Sequence, residues 1–218
     1  MTSQVVDAAE FRPRRRPSQE RSRRRFDEIL RAARALLVEV GFESFTSEQV
    51  ALRAGVPIGS LYQFFGNKYA IICELDRLDT ASVQGELEKF AGEIPTLDWG
   101  QLMDKLLDHL ASLWRTDPSR RAVWLAMQAT PQTRVIAAEH ERALAEQVTR
   151  VLAPLTPGSK IAHRQNIAEV LVHVTYSMLN FSIHDGQSHP DAVVQLKTLL
   201  GGYLVAAESE AAKARAVS

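Results

Sequence analysis

The stretch TSEQVALRAGVPIGSLYQFFGNK, Thr46–Lys68, decides the fold of this 218-residue chain. Thr46 followed three residues later by Gln49 fits a capping box, in which each side chain satisfies a backbone N–H left unpaired at a helix start. The helix so begun runs to about Ala54. Gly55 supplies a turn, and Pro57 suits the first turn of the next helix, where its missing N–H costs nothing. That helix runs to about Phe65 before Gly66-Asn67 breaks it. Asn67 can cap a long helix starting at Lys68. Two short helices about a glycine turn are the arrangement of a helix-turn-helix DNA reader.

Upstream, Phe26, Ile29, Leu30, Ala33, Leu36, Leu37 and Val40 form one helical stripe, and Gly41 stands where a terminating glycine belongs. Val50, Ala51, Ala54, Val56, Leu61 and Phe65 have the spacing to glue the two short helices to this first one. The second short helix is then left with Ile58, Gly59, Ser60, Gln63 and, at its edge, Phe64 exposed. A helix fits the major groove, where Gln63 can read an adenine edge, Ser60 can bond a base or phosphate, and Ile58 can touch a thymine methyl. Gly59 lets the backbone approach. Tyr62 offers a hydroxyl to a phosphate, and Lys68 at a helix start is a candidate phosphate clamp.

Charge is distributed to match. Net charge is zero, yet residues 11–25 hold eight arginines (Arg12, Arg14, Arg15, Arg16, Arg21, Arg23, Arg24, Arg25) against the single acid Glu20. Residues 1–70 carry 12 basic and 8 acidic side chains, so the remainder is acidic by four. An anionic partner for the N-terminal part is expected. Residues 1–20 have little apolar content and are expected to be a basic arm, disordered until something anionic orders it.

The rest reads as helix: 68–91, 99–116, 118–130, 132–153, 160–184 and 190–212, broken at Gly92–Asp98, Asp117-Pro118, Pro131, Pro154–Gly158 and Asp185–Pro190. No alternating strand pattern of useful length occurs. The expected fold is all-α with about nine helices: a three-helix DNA-binding head over 21–68 (motif 46–65) and a larger helical body over 69–218.

The residues from about Arg23 to Ile71, in particular ILRAA, GFESFT and VALRAGVPIGSLYQFFGNK, resemble the DNA-binding domain of the TetR family of bacterial transcriptional regulators. The resemblance implies that Thr46, Ser60, Tyr62, Gln63 and Lys68 contact operator DNA; Ser47, Ile58, Gly59, Arg23 and Arg24 complete the candidate DNA-binding set. One departure is Pro57-Ile58, where many members carry a serine and a polar or basic residue. The body resembles the family's ligand-binding and dimerisation domain in length and helix count. The family's usual mode is repression: a homodimer on an inverted-repeat operator in double-stranded DNA, released by a small-molecule effector.

Within the body, Trp114, Trp124, Met127, Tyr176 and Phe181 are candidates to line an effector pocket, the alternative being plain core packing. Val170, Val174, Met178, Leu196, Leu200 and Tyr203 are the candidate dimer interface. Large apolar side chains point to an apolar or amphipathic effector.

Rival functions fare worse. No G-x-S-x-G, H-E-x-x-H, phosphate-binding loop or dinucleotide fingerprint is present, so no enzyme and no cofactor are expected. His173 and His184 share a helix face but lie about 16 Å apart at the rise of an α-helix, too far to bind one metal. A lone cysteine, no apolar run of membrane-spanning length and a charged N-terminus make the cytoplasm the expected compartment, with no membrane partner. The arginine arm alone would suit a non-specific architectural DNA binder without an effector; the acidic balance of the body argues against it.

Overall fold

Nine α-helices account for most of the residues described in the computed structural model, which are 8–92, 99–153, 159–184, 187–189 and 191–216. They are α1 (Glu20–Ser44), α2 (Ser47–Arg53), α3 (Ile58–Phe64), α4 (Lys68–Ala91), α5 (Trp99–Thr116), α6 (Pro118–Gln128), α7 (Pro131–Leu152), α8 (Ile161–Phe181) and α9 (Asp191–Ala216). A two-residue antiparallel pairing of Ile183–His184 with Gln187–Ser188 follows α8. The fold is all-α. The breaks expected over 93–98, 154–158, 185–186 and at Pro190 lie outside the described residues. No helix among the described residues is long and apolar enough to cross a membrane.

The helix ends follow from local chemistry. Gly41 takes φ +69°, open to glycine at little cost, and breaks the helical path inside α1. At α2 the capping box is present in both halves: the Gln49 N–H donates to Thr46 Oγ1 at 3.2 Å and the Thr46 N–H to Gln49 Oε1 at 3.1 Å. Gly55 turns the chain at φ +64°. Asn67 Oδ1 accepts from the Ala70 N–H at 2.8 Å and caps α4. Asp117 caps α6, with Pro118 at the position where a missing N–H is harmless.

The chain divides into two units, Met1–Asp79 with Asp117–His140, and Thr80–Thr116 with Glu141–Ser218. The first unit is larger than a head ending at Lys68. It takes in the first half of α4, and α6 and the start of α7, because Val123, Ala126, Met127 and Ile136 are buried in the same core as Phe26, Ile29 and Leu61. Phe26 anchors that core, stacked on Phe65 at 4.9 Å between centroids and edge-on to Phe64 at 5.6 Å. Phe64, expected at the exposed edge of α3, is therefore inside. Cys73 is buried here too, and burial pushes its thiol up to about 12.

From Ala8 the arm lies on this unit: Phe11 is buried and meets Tyr69 at 6.2 Å, and the Arg14 N–H donates to the Phe64 carbonyl at 2.7 Å. Arg16 pairs with the buried Glu74 at 3.0 Å. The expectation of disorder weighed charge alone and did not consider Phe11 as an aromatic anchor.

The second unit is a helical bundle of the later part of α4, α5, the later part of α7, α8 and α9. Leu107, Leu152, Leu179 and Leu196 are completely or almost completely buried in it.

Candidate functional site

Two regions have the makings of a site. The first is the outer surface of α2 and α3. Leu61 and Phe64 pin α3 to the core, so helical geometry turns Ile58, Gly59 and Gln63 outward, all exposed, with Ser60 and Tyr62 half-buried at the flanks. This is the set expected from spacing, except for Phe64, which is buried. Thr46 and Glu48 are exposed in the first turn of α2. Ser47 is not: it is 7 % exposed, because it falls on the α2 face that carries Val50 and Ala51, so its side chain is not available as a DNA contact.

Tyr62 spans the two helices. Its hydroxyl donates to Glu48 Oε1 at 3.0 Å. Glu48's own backbone N–H and then the Tyr62 hydroxyl hold the Glu48 carboxyl below its ordinary value, and the carboxylate raises the Tyr62 hydroxyl in turn. Helical spacing carries no sign of this contact between residues fourteen apart.

Lys68 departs from the free phosphate clamp expected of it. Its Nζ donates to the carbonyls of Phe42 and Phe45 at 3.3 and 3.2 Å and sits 4.5 Å from the Phe42 ring centroid. Its ammonium is engaged by the end of α1, where carbonyls beyond the Gly41 break face it. Arg23 and Arg24 are exposed at the start of α1, Arg23 reaching the Ser18 carbonyl at 3.4 Å. Arg14 Nη1 reaches the Tyr62 carbonyl at 3.2 Å, so the arm holds the C-terminal end of α3.

The second region is a cavity of about 80 Å³ within the second unit, lined by α4, α5, α7, α8 and α9. Val83, Leu87 and Phe90 supply one wall, Met103, Leu106 and Trp114 another, and Val148, Leu171 and Leu200 the rest. Among the described residues no charged side chain lines it; Thr175, Tyr176 and the Trp114 indole are its polar groups. The Trp114 and Tyr176 rings lie 6.2 Å apart. Of the five expected pocket residues these two line the cavity. Met127 is buried in the core of the first unit, and Trp124 belongs to α6 of that unit. Phe181 is 46 % exposed and stacks on His189 at 4.9 Å.

The expected interface residues divide similarly. Val170 is exposed; Val174, Met178 and Tyr203 are partly so. Leu196 and Leu200 are buried inside their own subunit at 0 and 2 %, because α9 is apolar on two faces and these residues occupy the inner one. The outer face carries Val194, Leu199 and Val205, exposed at 58, 55 and 69 %. No group of three or more metal-ligating side chains occurs among the described residues.

Residues 29–75 match the family described as bacterial regulatory proteins, tetR family, and residues 97–208 match the tetracyclin repressor-like C-terminal domain. No curated protein sequence matches. Among solved structures, a TetR-family transcriptional regulator from Streptomyces coelicolor is similar at 24 % identity and TM-score 0.65, covering 84 % of this chain and 99 % of that one. The transcriptional regulator FadR from Bacillus subtilis, solved in complex with stearoyl-CoA, is similar at 17 % identity and TM-score 0.66, covering 81 % and 96 %. SmeT, solved in complex with triclosan, is similar at 18 % identity and TM-score 0.64, covering 82 % and 91 %.

Proposed function

Because this chain belongs to the tetR family of bacterial transcriptional regulators, we propose that it represses transcription as a homodimer, releasing an inverted-repeat operator when a small apolar molecule enters the second unit. A single short recognition helix contacts few base pairs. Two copies held about 34–36 Å apart read both half-sites one DNA turn apart. The exposed face of α9 supports the pairing. Besides its three large apolar residues it carries Gly201 and Gly202, beside which a side chain would meet nothing within 4 Å, so a partner helix can approach closely. Apolar area of this kind on helices is what a four-helix interface buries.

The uncharged lining of the cavity carries the effector half of the reading. A charged ligand would lose its hydration there with no partner to replace it. Two proteins of similar fold were solved with stearoyl-CoA and triclosan. The lining suits an acyl chain or a neutral aromatic compound, and offers nothing to the phosphates of a coenzyme. Small-molecule sites typically hold about 300 Å³ or more. An effector therefore enters by displacing lining side chains, and the distortion is what shifts the population of operator-binding states. Val83, Leu87 and Phe90 on the lining belong to α4, the helix that begins at Lys68 beside the reading head. Effector and operator weaken each other's binding by the same factor.

The test is capture of genomic DNA fragments on the purified protein at physiological salt, with Tyr62→Ala as control. Enrichment of a short inverted repeat, lost in the variant, supports an operator-binding dimer, and the adjoining genes narrow the effector. Enrichment that survives Tyr62→Ala, or none at all, defeats the proposal and favours an architectural DNA binder.

A further inference from the structure

Glu48 is an acid on a surface built to meet a polyanion. It is exposed in the first turn of α2, and the residue that reaches it is Tyr62 of the reading helix, within one turn of Ser60 and Gln63. Among the described residues no cation pairs with it: its hydrogen bonds are to its own backbone N–H, the Tyr62 hydroxyl and the Thr46 side chain. The neighbouring acid Glu39, by contrast, is paired with Arg53. An unpaired carboxylate at this place is repelled by every phosphate, so it weakens binding unless it meets a hydrogen-bond donor on the DNA. Donors in the major groove are the amino groups of cytosine and adenine, and carboxylates characteristically accept from cytosine N4.

Tyr62 makes the carboxylate suitable for that task. Its hydroxyl takes one acceptor site on Oε1, and the carboxylate, with about four lone pairs against three hydrogen bonds, keeps capacity to accept from a base. It also fixes a side chain that would otherwise lose rotamer freedom on binding. We propose that Glu48 is a base-reading residue of this regulator, accepting from a cytosine amino group in each half-site, with Tyr62 as its positioning residue. The proposal rests on the operator-binding reading above. It gives Tyr62 a task in place of the expected phosphate contact, since its single hydroxyl proton goes to Glu48: to aim a specificity determinant carried by the other helix of the motif.

The experiment is selection from a random DNA library with the full-length wild-type protein, Glu48→Gln and Tyr62→Phe, followed by affinity measurement on the selected sites and single-base variants. The wild type is expected to select an inverted repeat with a cytosine preference of about tenfold at one position of each half-site. Glu48→Gln, which presents both a donor and an acceptor, should shift that position toward adenine. Tyr62→Phe should blunt the cytosine preference while other positions keep theirs. If the wild type selects a repeat and Glu48→Gln selects the same repeat with unchanged preference, or merely binds all sequences more tightly, Glu48 is no reader and this inference falls alone. If the wild type selects no sequence, the operator-binding reading falls and takes the inference with it.

Discussion

Arg34 and Asp79 meet fork to fork: Nη2 donates to Oδ1 at 2.6 Å and Nη1 to Oδ2 at 3.0 Å, joining α1 to α4. The same guanidinium reaches Ser119 Oγ on α6 at 3.2 Å, so one side chain ties three helices of the first unit. Burial pushes the Asp79 carboxyl above its ordinary value, and Arg34 opposes that rise. Arg34→Met should therefore cost about 3 kcal/mol near neutral pH by stranding a largely buried carboxylate. The pH dependence has a definite sign. A carboxyl whose folded pKa is raised contributes stability below its unfolded value and loses it as pH climbs through the folded value. The deficit of Arg34→Met should thus shrink on acidification toward the carboxylate range and reach its full size above it. Urea unfolding across that range checks this; a deficit independent of pH contradicts it.

Lys68 is engaged by the end of α1 before any DNA arrives. Lys68→Met should lower the stability of the DNA-free protein by about 1–2 kcal/mol, because it removes two hydrogen bonds to carbonyls and a cation–π interaction. Denaturant unfolding without DNA separates this role from a phosphate clamp, whose removal would leave that midpoint unchanged.

The arm has two separable parts. Phe11→Ala empties a buried position and should destabilise the first unit by about 2–3 kcal/mol. Arg12→Ala with Arg15→Ala alters exposed residues and should leave stability alone. It should also reduce the salt dependence of DNA binding by about one unit of slope for each phosphate no longer neutralised. An unaltered slope would mean that these arginines never reach DNA.

Leu199 faces outward and Leu196 inward on the same helix. Leu199→Arg should yield a folded monomer with operator affinity reduced at least about a hundredfold, since half of the DNA-reading surface goes with the second subunit. Leu196→Ala should lower stability instead, by about 2–4 kcal/mol. Light scattering and thermal melting distinguish the two; a Leu199→Arg dimer would move the interface elsewhere.

Val148 lines the cavity from α7. Val148→Phe should occupy the space at a cost of about 1–3 kcal/mol, keep operator binding and abolish release by neutral apolar compounds. Retained release would place the effector outside this cavity.

Much of this was legible in the chain. Helix breaks carry their own chemistry, so Gly41, Thr46, Gly55, Asn67 and Asp117-Pro118 announced them. What periodicity does not encode is which partner a face meets. Trp124 and Met127 lie on an apolar helix that packs beside the reading head and not around the cavity. On α9, two apolar faces gave Leu196 and Leu199 equal claims, and only tertiary packing chose between them. Glu48 drew no notice because its meaning lies in Tyr62, fourteen residues away on another helix.

Cys73 is the sole cysteine, and the core conceals it. A thiol held up at about 12 stays protonated and unreactive in the folded protein at neutral pH. The wild-type background is therefore silent to maleimides and methanethiosulfonates. One engineered surface cysteine would be the single labelling point, so spin or fluorescence probes could report distances between subunits without a cysteine-free variant.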